Sequence, residues 1–206
     1  MKLVIGNKSV SSWSMRPWLL LKHFNIPFEE ILIRLDEPQT SAEILRYSPT
    51  AKVPALEHDG DWIWESAAIM EYLAEIHPQH QMYPQDVKKR ARARSLSMEM
   101  HAGFAVMRDV LSFNARKVHP GFDSSKASAD IKRICEIWET AEGPFLFGEF
   151  GLVDAMYAPV VGRFQTYDVK LTGKARAYYD AMLALAAFKQ WYHEASLENF
   201  VASKHA

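Results

Sequence analysis

A single cysteine, Cys135, stands among 206 residues. No intrachain disulfide, CxxC redox pair or multi-cysteine metal cluster can therefore form, and the count suits a reducing compartment. Charge is equally sparse in net terms: 24 Lys+Arg against 25 Asp+Glu leave a formal charge of -1. No global field draws the chain to nucleic acid. No apolar stretch approaches the roughly 18 residues that would suggest a membrane span, and the opening MKLVIGNK has too short an apolar core for a secretory signal. A soluble, cytoplasmic protein is the expectation. The eight histidines show neither HExxH nor a regular ligand spacing, so no metal is expected. Repeats of solenoid period are also missing.

What is present reads as an ordinary globular chain, 49% hydrophobic and 24% charged. Its length suits one large domain or two small ones, and about 70% of the unfolded surface should be buried. The two ends differ in texture. Residues 1–80 hold 7 Lys+Arg and 11 Asp+Glu, whereas the remainder is net positive. The first part mixes short apolar runs with helical periods and predicts the order β-α-β-α-β-β-α. Its strands are expected at Leu3-Val4-Ile5, Glu30–Leu35, Val53–Glu57 and Trp62–Trp64, with a hairpin turn at His58-Asp59-Gly60-Asp61. Its helices are expected at Met15–Phe24, Ala42–Tyr47 and Ser66–Ile76. A first domain over 1–78, a proline-bearing linker over 79–85 and an all-helical domain over 86–206 follow. The second part opens with one long helix from Asp86 to Lys117, its apolar residues stepping by three and four from Leu96 to Ala115. Its basic run, Lys88 to Arg94, reads as a solvated face or one side of a subunit contact. Cys135 shares an apolar helix face with Ile131, Ile134 and Trp138, the setting of an inert packing residue.

Three short segments carry candidate chemistry. In the serine loop before the first helix, Ser14 is a natural N-cap. The same place also suits an anion, and a thiolate above all, because free N–H groups and the positive helix end point there. Ala51-Lys52-Val53-Pro54 precedes a strand. Pro54 is either an ordinary edge proline or a cis residue that turns the Val53 backbone outward to pair with an extended peptide. Glu65-Ser66 opens a helix. Ser66 reads as its N-cap, and the helix start could also hold a carboxylate while Glu65 holds an ammonium. Opposite charges on one small ligand describe an amino-acid head group.

These segments, in this order around this element pattern, resemble the cytosolic glutathione transferase family over essentially the whole chain. The resemblance implies a thioredoxin-like first domain, an α/β layer, followed by an all-α helical bundle. Ser11-Ser12-Trp13-Ser14-Met15-Arg16 is most similar to the zeta-type, serine-bearing branch. By that similarity Ser11 would hydrogen-bond the glutathione sulfur and favour its thiolate. Val53 would pair through its backbone with the cysteinyl unit beside a cis Pro54. Glu65 and Ser66 would hold the γ-glutamyl ammonium and carboxylate, and Lys52 the glycyl carboxylate. Glutathione would be the co-substrate, no metal would be needed, and a small hydrophobic electrophile would be the partner, in a detoxifying role. A second-substrate pocket would be lined by Trp13, Met15, His101, Met107 and Arg108. The family also implies a homodimer and a buried capping box, Ser or Thr three residues before Asp, of which this sequence keeps half, with Asp154 present and Gly151 in the hydroxyl position. Trp13 stands where the zeta-type isomerases carry cysteine. The alternatives are a zeta-type glutathione-dependent isomerase or dehalogenase, and a non-enzymatic binding or scaffold protein of the same fold.

Overall fold

The structure is a computed structural model and describes residues 1–200. Residues 201–206, which the expected helical domain included, lie outside the described residues. The first layer is a four-stranded mixed sheet of β1 (Lys2–Gly6), β2 (Glu29–Ile33), β3 (Ala55–His58) and β4 (Asp61–Trp64), in the order β2-β1-β3-β4. β1 and β2 run parallel in the register Lys2↔Glu29 to Gly6↔Ile33, joined through α1 (Ser12–His23). Such a crossover needs a helix to bring the chain back. β3 is antiparallel to β1 and makes the hairpin with β4. The hairpin turns at Asp59 and Gly60, both at positive φ (54° and 93°). This is the backbone twist that two-residue hairpins favour, and glycine meets it without steric cost.

Two helices complete this domain, α2 (Thr40–Ile44) and α3 (Ser66–Ile76). A 3-10 turn at Pro78–His80 then leads to the helical part: α4 (Val87–Ala102), α5 (Ala105–Val110), α6 (Ser128–Trp138), α7 (Leu152–Thr166), α8 (Gly173–Ala184) and α9 (Ala186–Ser196). α1 and α7 are buried almost all round and pack on each other, and α1 also contacts α3 and α9. A helix buried on all faces is a core element. One continuous apolar core therefore runs from Leu3 and Ile5, through Trp18 and Leu20, to Met156, Val160 and Trp191. The edge of Trp18 meets Trp191 with ring centroids 5.1 Å apart.

The single helix expected from Asp86 to Lys117 is instead two. α4 ends at Ala102 because Gly103 is extended (φ -100°, ψ -169°) and Phe104 is left-handed (φ 60°). A Cβ on Gly103 would lie 2.7 Å from the Glu99 carbonyl oxygen, so a side chain there would collide with the last turn. Arg108 secures the break by donating from Nε to the Gly103 carbonyl (3.0 Å) and from its terminal nitrogen to that of Met100. A cation on helix-end carbonyls is favourable in both charge and hydrogen bonding. The half capping box is present: Gly151 N–H donates to Asp154 Oδ2 at 2.9 Å and Leu146 N–H to Oδ1 at 3.1 Å, with Asp154 fully buried. The basic run on α4 is partly paired, Lys89 with Glu142 at 2.6 Å and Arg94 with Glu71 at 3.7 Å.

Candidate active site

The C-terminal end of β1 feeds the serine loop. Asn7 organises it: its carbonyl accepts from Val10 N–H (3.2 Å) and Ser11 N–H (2.8 Å), and its Oδ1 accepts from Leu35 N–H (2.7 Å). α1 starts one turn earlier than the sequence suggests. Its N-cap is Ser11, not Ser14. Ser14 lies inside the helix, fully buried, where its hydroxyl accepts from Gly6 N–H (3.1 Å) and from the Ser11 hydroxyl (2.8 Å). Ser14 thus ties helix to strand and is removed from any contact with a ligand. Ser11 and Ser12 are each 6% exposed. No side-chain hydrogen bond involves Ser12 among the described residues.

The second segment delivers Lys52, Val53 and Pro54, and the Val53-Pro54 bond is cis. The third shifts its cap in the same way as the first. Glu65, not Ser66, is the N-cap of α3, at φ 79° and ψ 126°. Few non-glycine residues adopt such a backbone, and where it occurs it commonly marks a functional position. The Glu65 carboxylate accepts from Ala67 N–H at 3.0 Å and from the Ser66 hydroxyl at 3.3 Å. Ser66 is the first helical residue, fully buried as a whole but bordering the cleft.

These segments meet around one cleft of about 380 Å³, walled by Trp13, Thr50, Lys52, Val53, Pro54, Trp64, Glu65, Ser66 and His101. Its volume is ordinary for a small-molecule site, which runs roughly from 300 to 1,000 Å³. His101 comes from α4 and reaches the first domain: its ring lies edge-on to Trp13 at 5.4 Å, and its Nε2 is 3.5 Å from Glu65 Oε2. Behind Trp13 stand two guanidinium groups, Arg16 at 4.1 Å and Arg108 at 4.9 Å from the ring centroid. Arg16 is fully buried and donates from Nε to the Met156 carbonyl (3.2 Å), while its terminal nitrogens find no hydrogen-bond acceptor among the described residues. Burial first, then Arg108 and Arg163 nearby, press its pKa well below the usual arginine value. Burial likewise lowers that of Arg108. Positive charge therefore backs the aromatic wall.

The expected second-substrate group divides. Trp13 and His101 line the cleft, and Arg108 supports Trp13 from behind. Met15 and Met107 do not line it. Both are fully buried in the common core, because Met15 faces inward from α1 and Met107 sits on the α5 turn, its N–H held by Asp130 at 2.8 Å. Ser11 is also absent from the cleft wall, with its hydroxyl turned to Ser14. Thr50 and Trp64 are wall residues that the sequence reading missed. Trp64 ends β4 and is 43% exposed; its place next to Glu65 in the sequence was the one available signal. Two other hollows are larger, about 480 Å³ beside Glu71 and Arg94 and about 530 Å³ beside Phe122 and Lys132. Neither gathers the three segments, and in the first Glu71 is already bonded to Tyr83 and faces Arg94. Cys135 is half-buried, and burial with Glu139 and Glu136 nearby pushes its thiol pKa up, away from nucleophilic use.

A thioredoxin-like sheet domain with a cis-proline before its third strand, closed by a helical domain over a cleft at the start of two helices, defines the glutathione transferase class of fold. Comparison with known proteins agrees: family models for the glutathione S-transferase N-terminal domain and C-terminal domain match residues 10–76 and 96–194. The chain belongs to the glutathione S-transferase family. It is 30% identical over 188 residues to maleylacetoacetate isomerase of Rattus norvegicus, covering 88% of this chain and 87% of that protein. Among solved structures, a bacterial zeta-class maleyl pyruvate isomerase superposes with a TM-score of 0.75 at 22% identity, covering 98% of this chain and 100% of that one. A Burkholderia glutathione transferase homolog with bound glutathione gives 0.73 at 24%, covering 95% and 97%. At those identities the structural likeness speaks for the fold.

Proposed function

We propose that the protein is a glutathione transferase that binds the tripeptide in the Trp13–His101 cleft and activates its thiol for attack on a small hydrophobic electrophile. The observation that carries this reading is the convergence of Lys52, Val53, Glu65 and Ser66 on one cleft beside the start of α1. Glu65 takes the γ-glutamyl ammonium, the α3 start with Ser66 takes the adjacent carboxylate, and Lys52 takes the glycyl carboxylate. The Val53 backbone pairs with the cysteinyl unit as an added strand would. The sulfur comes to the N-terminal end of α1, where the helix end favours an anion and a hydroxyl donates to it. Ser11 is that donor, and it must turn its proton from Ser14 to the sulfur as the tripeptide arrives. The thiol proton passes to solvent and the thiolate supplies the electron pair for the new carbon–sulfur bond; in a substitution the leaving group departs with the electron pair of the bond it breaks, and in an addition the atom that gains the charge takes a proton from water. The protein works as a homodimer in the cytoplasm.

One observation favours a second reading. The similarity to maleylacetoacetate isomerase spans nearly the whole chain, and the same thiolate could add reversibly to a conjugated double bond and so isomerise it. Retention on immobilised glutathione, followed by assay against a panel of aryl halides, epoxides and conjugated cis-alkenes, separates these readings. Conjugate formation supports transfer, isomer without conjugate supports the second reading, and a folded protein that the resin does not hold removes both. Parallel Ser11→Ala and Ser12→Ala variants assign the hydroxyl: loss of turnover with retained affinity is expected for Ser11→Ala. The same loss confined to Ser12→Ala moves the role to the hydroxyl that makes no side-chain bond.

A further inference from the structure

The serine loop is held from a point 190 residues away in sequence. Glu198, two residues beyond the end of α9, accepts from the backbone N–H of Lys8 at 2.6 Å through Oε1 and from that of Ser9 at 3.1 Å through Oε2. Both carboxylate oxygens thus engage adjacent peptide groups in the stretch between β1 and α1. The Lys8 ammonium is occupied elsewhere, by Glu30 and by Glu194 at 2.8 Å, so the charge of Glu198 is not spent on it. At the next peptide, Ala115 N–H donates to the Ser9 carbonyl at 2.8 Å. The segment carrying Glu198 is itself fastened, since Arg116 donates to the carbonyls of Glu198 (3.1 Å) and Phe200 (3.3 Å), and Arg34 lies 4.4 Å over the Phe200 ring. The helical part therefore grips Ser9 through both its N–H and its carbonyl, while the Asn7 carbonyl accepts from Val10 and Ser11 N–H.

We propose that Glu198 is a positioning residue for the serine loop, setting through the Lys8 and Ser9 amides where the Ser11 hydroxyl stands. The proposal rests on the transferase reading above. Bonds from amides to a carboxylate are about twice as strong as neutral ones, and loops without ladder partners otherwise depend on water to satisfy such amides. A small displacement of a reacting group costs up to about a hundredfold in rate. The carboxylate's charge works the other way. A negative group near the loop raises the pKa of a bound thiol by repulsion, so removing the charge alone would lower it.

That opposition gives the test. Glu198→Gln keeps one acceptor oxygen, Glu198→Ala keeps none, and Arg116→Met frees the segment without touching the carboxylate. Steady-state kinetics, ultraviolet titration of the bound glutathione thiol, and amide hydrogen exchange at Lys8 and Ser9 are read on full-length protein, with thermal melts to confirm folding. Positioning predicts faster exchange at both amides and a fall in kcat of about tenfold in Glu198→Ala, with KM for glutathione within about twofold. It also predicts a raised thiol pKa in Glu198→Ala and an intermediate Glu198→Gln, and in Arg116→Met, which loses a positive charge as well, the same faster exchange and lower kcat. Unchanged kcat and exchange, or a thiol pKa that falls in Glu198→Gln, would overturn it. A wild type that leaves the thiol pKa unmoved overturns the transferase reading and this proposal together, whereas a normal wild type with indifferent variants overturns only this one.

Discussion

Glu65 caps α3 and, on the proposed reading, holds the tripeptide ammonium, and a single substitution separates the two. Its carboxylate caps α3 through Ala67 N–H at 3.0 Å, and its backbone sits at φ 79°. Its approach to His101, 3.5 Å, involves side chains 28% and 46% exposed, so solvent screening leaves that pair worth at most about 1 kcal/mol. Replacing Glu65 by glycine costs only a few tenths of a kcal/mol as a cap, and the added freedom of the unfolded chain costs about 0.5–1 kcal/mol more. It also releases backbone strain of about 1–3 kcal/mol at a position that glycine tolerates. The two effects oppose, so Glu65→Gly should change unfolding free energy by no more than about 1–2 kcal/mol in either direction. Binding should respond differently. A charge-assisted bond to the tripeptide ammonium contributes about 1.5–3 kcal/mol, so the glutathione Kd should rise about ten- to a hundredfold. Urea denaturation and isothermal titration calorimetry on the same preparation decide it. A variant that binds glutathione as tightly as wild type would refute the assignment of the ammonium to Glu65, and a loss of several kcal/mol of stability would refute the strain argument.

Other expectations concern the frame around the cleft. Gly103→Ala should destabilise by about 1–3 kcal/mol, because its Cβ would lie 2.7 Å from the Glu99 oxygen; a thermal melt indistinguishable from wild type would show that the break after α4 has room to spare. Asp154 is held up at about 7 by burial, against the lowering effect of its bonds from Leu146 and Gly151. Its folded pKa lies above the unfolded value, so the protonated form adds stability that is fully present below about pH 4 and lost as pH rises through 7. Relative to Asp154→Asn, the wild type should therefore lose about 3 kcal/mol between pH 5 and pH 8; parallel pH profiles for the two proteins in urea titrations would contradict this.

Local pattern carried the sheet domain well. Leu3-Val4-Ile5 is an apolar run that no helix period explains, and Asp59-Gly60 is a turn by its chemistry alone, so strand and hairpin were both legible. Helix starts were less so, because three serines in four positions offer equivalent caps and only the tertiary packing of Ser14 against Gly6 selects Ser11. A strong period across Leu96, Met100, Phe104 and Met107 concealed the break at Gly103, since the apolar face continues on the far side of it. Met15 and Met107 looked like adaptable pocket walls, yet which way a methionine faces depends on partners distant in sequence, and both face the core. The Glu198 contact left no local trace, because it has meaning only once α9 has been brought back against α1 and the serine loop.

Every step of the proposed chemistry needs glutathione held as a thiolate at the start of α1, and ultraviolet titration of the enzyme–glutathione complex reads that state. A free thiol titrates near about 8.5. The bound thiol should titrate at least about one unit lower, and Ser11→Ala should move it back toward the free value while affinity is largely retained. A bound thiol that ionises at or above the free value in the wild type would contradict that chemistry.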